Sequence, residues 1–380
     1  MQAVQDNSIY TGVVPLFMAL IRCGIGKARE LPHTPTPEQW NMLYHFSCKQ
    51  AVQGIAFAGI EKLPEHQRPP SHLIIKWFQV VNLIRSRNRE LTEACILVTR
   101  KFAAEGFRST ILKGQGISRY YSDPSLRVPG DIDIWLEGGC DKVIDYVKSI
   151  FPACRPVYHH VDFPVLDGLD VEAHYRPSWM YSPFRNSRLQ RYFESRSEAE
   201  FANVTLTPEG ELHMPSVAFN LVYIPVHIYR HLFVEGIGMR QILDYYYVLQ
   251  QQVSDEEKRQ CVETFKSLGM MRFMRALMYV MQQMFDLDHE QMIVPPATRD
   301  GIFLLNEIME SGNFGKQDSR YTAARRGANL RYMINQCRRS LMLVVYYPSE
   351  TLWNPIFKVW HALWRKHHAS FAAIGRAKHR

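Results

Sequence analysis

The stretch Gly130-Asp131-Ile132-Asp133-Ile134-Trp135-Leu136 constrains this chain more than any other. Ile132, Ile134 and Leu136 alternate with Asp131, Asp133 and Trp135, the period of two that a strand with one buried face requires. Asp131 and Asp133 therefore point the same way. Their carboxylates gather hard oxygen acceptors just after a glycine, a set that suits Mg²⁺ rather than a soft metal. An isolated D-x-D also occurs as a solvated acidic strand face, so the flanking residues decide between the two readings.

Upstream, residues 107–112 predict a strand leading into Lys113-Gly114-Gln115-Gly116, and residues 117–121 a short helix. A strand that ends in a glycine turn and opens a helix aims backbone N–H groups at whatever sits there, an arrangement that favours phosphate, and Lys113 adds a positive charge. Taken alone, K-G-Q-G reads equally as a plain turn. Downstream, residues 141–150 predict a helix, and residues 156–166 and 169–175 two strands separated by Asp167-Gly168. In the second strand Asp170, Glu172 and His174 share one face. If it lies beside the Asp131 strand, one of its carboxylates supplies a third metal ligand.

The rest of the chain reads as helix. Thr36-Pro37-Glu38-Gln39 is a capping box with proline at the first helical position, opening a helix to about residue 54. A longer helix runs from residue 71 until Gly106 stops it. The apolar run 13–23 is too short to span a bilayer and lacks the charged start and cleavage site of a signal peptide, so it predicts a core helix. Residues 216–234 predict a long apolar helix with Pro225 inside it, carrying His227, Arg230 and His231. Arg240 and Asp244 lie one turn apart on a helix over 239–252. Further helices are predicted at 254–269, 271–285, 299–309, 321–346 and beyond 354. The fold class is α+β: a small mixed sheet over 107–213, flanked by N-terminal helices over 1–106 and a C-terminal helical domain over 214–380.

With 380 residues, 46% of them hydrophobic, the chain can bury a full-sized core without staples. Its seven cysteines are scattered with no C-x-x-C pair, which reads as reduced thiols of a cytoplasmic protein and against a structural zinc site. His159-His160 has no partner four residues on along a helix, which excludes a metal site of the H-E-x-x-H type. The net charge of +8 favours an anionic partner, although after residue 320 the only acid is Glu350. There Trp353, Phe357, Trp360 and Trp364 interleave with Lys358, Arg365 and Lys366. Their helical spacing predicts first a packed helix with a basic solvated face, and second a contact for nucleic acid or a membrane headgroup layer.

Together, L-K-G at 112–114, Tyr120, Arg127, G-D-I-D-I at 130–134, V-E-A-H at 171–174 and G-I-G-M-R-Q-I-L-D at 236–244 resemble the bacterial family of uncharacterised nucleotidyltransferases, within the DNA polymerase β-like superfamily. The resemblance implies an enzyme that moves a nucleoside monophosphate from an NTP, ATP foremost, to a hydroxyl of a small molecule, protein or RNA, releasing pyrophosphate. It implies that Asp131 and Asp133 hold two Mg²⁺ ions, and that Glu172, in preference to Asp170, is the third ligand. Lys113, Gly114, Gln115, Ser118 and Arg127 would bind the nucleotide, and His174, His231, Arg240 and Asp244 the acceptor. In the superfamily a serine usually follows the glycine, and here Gln115 stands in that place. That departure moves phosphate holding to Lys113, Ser118, Arg127 or backbone N–H groups, and keeps open a nucleotide-binding or regulatory module that has lost the chemistry. Arg127 reads equally as a phosphate contact or as a structural partner of Asp131. His174 reads as a base or site organiser, or as a satisfied core histidine, and Arg240 with Asp244 as acceptor contacts or as a helix pair.

Overall fold

The N-terminal region is helical, and one of its helices opens on a capping box. In a computed structural model that describes residues 2–313 and 329–375, its helices are α1 (Gln2–Gly24), α2 (Pro37–Gln50), α3 (Gln53–Lys62) and α4 (Ser71–Ala104). Thr36 Oγ1 accepts the Gln39 N–H at 3.2 Å and Gln39 Oε1 accepts the Thr36 N–H at 2.9 Å, closing the predicted box. The helix does not continue to residue 54. Ala51 turns left-handed at φ 53°, and the Gln50 side chain bonds the Ile308 carbonyl at 3.0 Å and the Met239 N–H at 2.8 Å, fixing the break against the C-terminal half. Along α4, Leu73, Trp77, Val81, Ile84, Leu91, Cys95, Val98 and Phe102 form one buried stripe at helical spacing.

The sheet follows: β1 (Ser109–Ile111), a helical turn α5 (Gln115–Ser118), β2 (Ile132–Leu136), α6 (Gly139–Ile150), β3 (His160–Asp162) and β4 (Val171–His174). Its strand order is β1-β2-β4-β3, with β2 and β4 parallel and the outer pairs antiparallel. The single buried face expected for β2 is corrected here: all its residues are buried. The strand is central, and helices cover both faces of the sheet. Ile132, Ile134 and Leu136 pack with the C-terminal part of α4 and with α6, in a cluster holding Cys95, Val98, Phe102, Val143 and Val147. Trp135 faces the other way, into a second cluster.

That second layer contains elements the patterning does not announce. Helix α7 (Pro183–Ala202) is largely polar, with Leu189, Phe193 and Phe201 its buried apolar residues. It leads through the hairpin β5 (Val204–Thr207) and β6 (Gly210–His213) into α8 (Val217–Leu232). Trp135 stacks on Phe219 of α8 at 5.8 Å and lies 4.6 Å from Phe201 of α7. Buried Glu200 receives the Ser216 N–H at 2.6 Å and its hydroxyl at 2.9 Å, tying the end of α7 to the cap of α8.

Helices α9 (Met239–Leu249), α10 (Asp255–Ser267), α11 (Met271–Phe285) and α12 (Thr298–Ser311) continue the same core, which joins residues of all three regions. The helix predicted over 321–346 is described from α13 (Asn329–Tyr346), and residues 321–328 lie outside the described residues. The last helix, α14 (Pro348–Gly375), starts earlier than residue 354. Buried Arg339 donates to the Leu232 carbonyl at 3.0 and 2.6 Å, and buried Glu350 accepts the Tyr181 N–H at 2.7 Å, so both helices are anchored. The solvated face of α14 carries Lys358, Arg365 and Lys366, and apolar residues beside them. Phe357 packs on Tyr158 and Trp179, but Leu352, Ile356, Val359 and Leu363 are exposed. Among the described residues, no helix is long and apolar enough to cross a membrane.

Candidate functional site

The parallel pairing of β2 with β4 sets Asp133 directly opposite Glu172. Asp131, exposed, sits one residue before β2, and its carboxylate, with those of Asp133 and Glu172, offers oxygens that all lie within 4.8 Å of one another. Asp170 is exposed and outside this cluster. Asp133 is only 1% exposed. Its Oδ1 meets the Lys113 Nζ at 2.9 Å and the His174 Nε2 at 2.9 Å, whereas its buried Oδ2 has no hydrogen-bond partner among the described residues.

An unpartnered carboxylate oxygen in the interior is costly. A divalent cation on Asp131, Asp133 and Glu172 would satisfy it, and an all-oxygen donor set fits Mg²⁺. The residues therefore fit the metal that the sequence points to. Without it, the site balances its own charge. Burial opposes ionisation of Asp133, but Lys113 and the His174 hydrogen bond outweigh it and hold the carboxyl below its usual range. Glu172 behaves alike, with burial overcome chiefly by the hydrogen bond from His174, and falls to about 2. For His174, burial is outweighed by the hydrogen bonds to Asp133 and Glu172, and its pKa rises to about 9. Lys113 too is held above its usual value, burial being overcome by Asp133, Asp131 and Glu172.

The carboxylates open onto a cleft of about 700 Å³ between the sheet edge and the C-terminal helices. Lys113, Arg230, His231 and Arg240 line it, as do His159, His160 and Trp179. Arg230 sits over the Trp179 ring at 4.0 Å and contacts the His231 Nε2 at 2.6 Å, and the His231 Nδ1 pairs with Glu235 at 2.7 Å. Beside the cleft a smaller pocket is lined by Gly114, Arg127 and Asp244.

The sequence-predicted residues separate into those that meet and those that do not. Lys113, Asp131, Asp133, Glu172, His231 and Arg240 share one cleft. His174, 2% exposed, bridges Asp133 and Glu172 from behind. Arg127 does not pair with Asp131, and Asp244 does not take Arg240 as its hydrogen-bonded partner. Instead Arg127 forks onto Asp244, Nε to Oδ1 at 2.7 Å and Nη2 to Oδ2 at 2.8 Å, with the Tyr121 hydroxyl adding a bond of 2.7 Å. Arg240 donates to the carbonyls of Val128 and Pro129 at 3.3 and 3.0 Å, bracing the loop that delivers Asp131.

Gln115 and Ser118 face away from the cleft. Gln115 is buried against α4, donating to the Asn88 carbonyl at 2.8 Å and the Thr92 hydroxyl at 2.9 Å, and the Ser118 hydroxyl donates to the Gln115 carbonyl at 2.8 Å. The reason is the turn before them: Gly114, at φ 56° and ψ −113°, adopts a conformation open to glycine and rolls the next side chain inward. Gln115→Ala is therefore expected to cost about 1–3 kcal/mol in a urea melt, for two buried bonds of about 0.5–1.5 kcal/mol each, while leaving ligand affinity in the cleft unchanged.

Arg230, His159, His160 and Trp179 join the cleft as well. No spacing in the sequence marks them, because the start of β3, the loop after β4 and helix α8 bring them to the cleft from segments up to about 70 residues apart.

A family model described as "Uncharacterised nucleotidyltransferase" matches residues 36–286, about two-thirds of the chain. No curated protein and no solved structure matches it.

Proposed function

Since this chain belongs to the uncharacterised nucleotidyltransferase family, matched over residues 36–286, we propose that it transfers a nucleoside monophosphate from ATP to a hydroxyl acceptor. The acceptor oxygen forms a bond to the α-phosphorus, the bond to the bridging oxygen breaks, and pyrophosphate leaves. The observation that carries this reading is the convergence of Asp131, Asp133 and Glu172, with a buried oxygen of Asp133 unpartnered. Two Mg²⁺ ions held there would offset the charge developing on the attacking and leaving oxygens.

The remaining work falls to the chain's own residues. Lys113, Arg230 and Arg240 line the same cleft and give a triphosphate its counter-charge. His174, donating towards Asp133 and Glu172, fixes the angle of both carboxylates. Arg127 and Asp244, locked together under the cleft, act as positioning residues for the loop that bears Asp131. His231 and Arg240, which line the same cleft, are assigned to the acceptor.

The test is an ATP titration with and without Mg²⁺, paired with pyrophosphate release across small-molecule, protein and RNA hydroxyl acceptors. Binding tightened by Mg²⁺ and pyrophosphate release with at least one acceptor class are the expected results. Binding with no release across the whole panel would instead support a nucleotide-binding module of the same fold.

A further inference from the structure

Next to the carboxylates, three imidazoles and one carboxylate converge on a single point. His159 Nε2 and His160 Nδ1 are 3.0 Å apart, His160 Nδ1 and Glu172 Oε2 3.1 Å, and His174 Nε2 and Glu172 Oε2 3.2 Å. One donor atom from each of His159, His160, Glu172 and His174 lies within 4.8 Å of the other three. A tetrahedron of ligands with bonds of about 2.0–2.1 Å has edges of ~3.3 Å, and these separations are close to it.

The strand pairing builds this arrangement in advance. His160 is opposite His174 across β3 and β4, and Glu172 precedes His174 by two residues on the same face. His159 follows from the adjoining turn and is held against the Trp179 ring, centroids 4.1 Å apart. The outer nitrogens of two of the rings have partners of the kind that orient metal-bound histidines. His174 Nδ1 faces the Arg176 carbonyl at 3.3 Å, and His160 Nε2 faces the Asp162 carboxylate at 3.7 Å. His160 Nδ1 meanwhile meets two groups, His159 Nε2 and Glu172 Oε2, and a single ring proton can serve one of them.

We propose that His159, His160, His174 and Glu172 form a tetrahedral binding site for a first-row transition-metal ion, Zn²⁺ foremost, distinct from the oxygen-only cluster of Asp131, Asp133 and Glu172. Imidazole nitrogen suits Zn²⁺ and disfavours Mg²⁺, so the two neighbouring donor sets select different ions although they share Glu172. Three of the four side chains, His159, His160 and Glu172, line the cleft, which gives the ion an entry path. To take the ion, His174 Nε2 would release to solvent the proton it holds towards Asp133 and Glu172, so metal binding at this nitrogen and those hydrogen bonds exclude one another.

The experiment uses the full chain stripped with a chelator, titrated with Zn²⁺ against a chromophoric competitor and with Co²⁺ as a spectroscopic probe. The expected result is one tight Zn²⁺ equivalent and the visible absorption of four-coordinate Co²⁺. The His159→Ala/His160→Ala double variant is expected to weaken Zn²⁺ at least about 100-fold, since even an outer partner is worth about 10–100-fold. Asp131→Asn is expected to bind Zn²⁺ like the unaltered chain, which separates this site from the carboxylate cluster. Circular dichroism of the metal-free proteins checks the fold, and His160→Gln alone is expected to lose affinity if the double variant is unfolded. Absence of a tight Zn²⁺ equivalent in the unaltered chain, or undiminished binding by the folded histidine variants, would overturn the proposal.

Discussion

Asp133→Asn is expected to lower the rate of nucleotidyl transfer by about 10³-fold or more. Loss of metal-borne stabilisation of transition-state charge is worth several kcal/mol, at about 1.4 kcal/mol per tenfold. Asparagine keeps an acceptor for Lys113 and His174, which meet Oδ1 at 2.9 Å each, so those contacts survive. What it removes is the negative charge and the second carboxylate oxygen, the one without a partner. Pyrophosphate release, measured beside a thermal melt, separates the two effects. A variant that retains its melting behaviour and full turnover would show that Asp133 holds no catalytic metal.

The second large effect concerns stability. Arg127 and Asp244 are 5% and 8% exposed and form a two-pronged ion pair that joins the loop before β2 to α9. Burial alone would disfavour the charge on Arg127, yet Asp244 holds its guanidinium well above its usual range. Asp244→Ala leaves that charge and the Tyr121 hydroxyl without their partner, and is expected to cost about 3–5 kcal/mol. Arg127→Met/Asp244→Leu removes both charges together and is expected to recover most of that loss, because apolar replacements of a buried pair are often neutral. Urea unfolding of the single and double variants measures both numbers. If Asp244→Ala cost under about 1 kcal/mol, the pair would be behaving like an exposed one.

The start of α2, the buried stripe of α4 and the acidic strand were legible because their causes are local. Thr36 and Gln39 cap each other within four residues, and α4 carries its own buried stripe. The alternation from Ile132 to Leu136 marks a strand wherever that strand lies in the sheet. The same patterning could not show that β2 is central, since Trp135 is buried by α7 and α8, whose contacts come from distant segments. Nor could it announce α7, which is polar over most of its surface.

Site residues divide in the same way. Lys113, Asp131 and Asp133 could be named because strand periodicity and a glycine turn fix which way their side chains point, whereas the same periodicity puts Asp170 and Glu172 on one face and does not choose between them. Gln115 follows the same glycine, yet its direction depends on α4 offering Asn88 and Thr92 as partners. Arg127 and Asp244 are separated by more than a hundred residues and meet only once α9 packs under the loop. His159-His160 is unremarkable as a dipeptide, and becomes part of a ring of donors only through the pairing of β3 with β4.

The sequence by itself determined that Asp131 and Asp133 point the same way, because the direction of two carboxylates two residues apart on an extended segment is an outcome of local backbone geometry. Tertiary structure alone decided what surrounds them. Lys113 and His174 balance Asp133, Glu172 rather than Asp170 joins the cluster, and Arg127 is committed to Asp244. Those partners lie far apart along the chain, and burial in a shared core is what brings them within reach of one another.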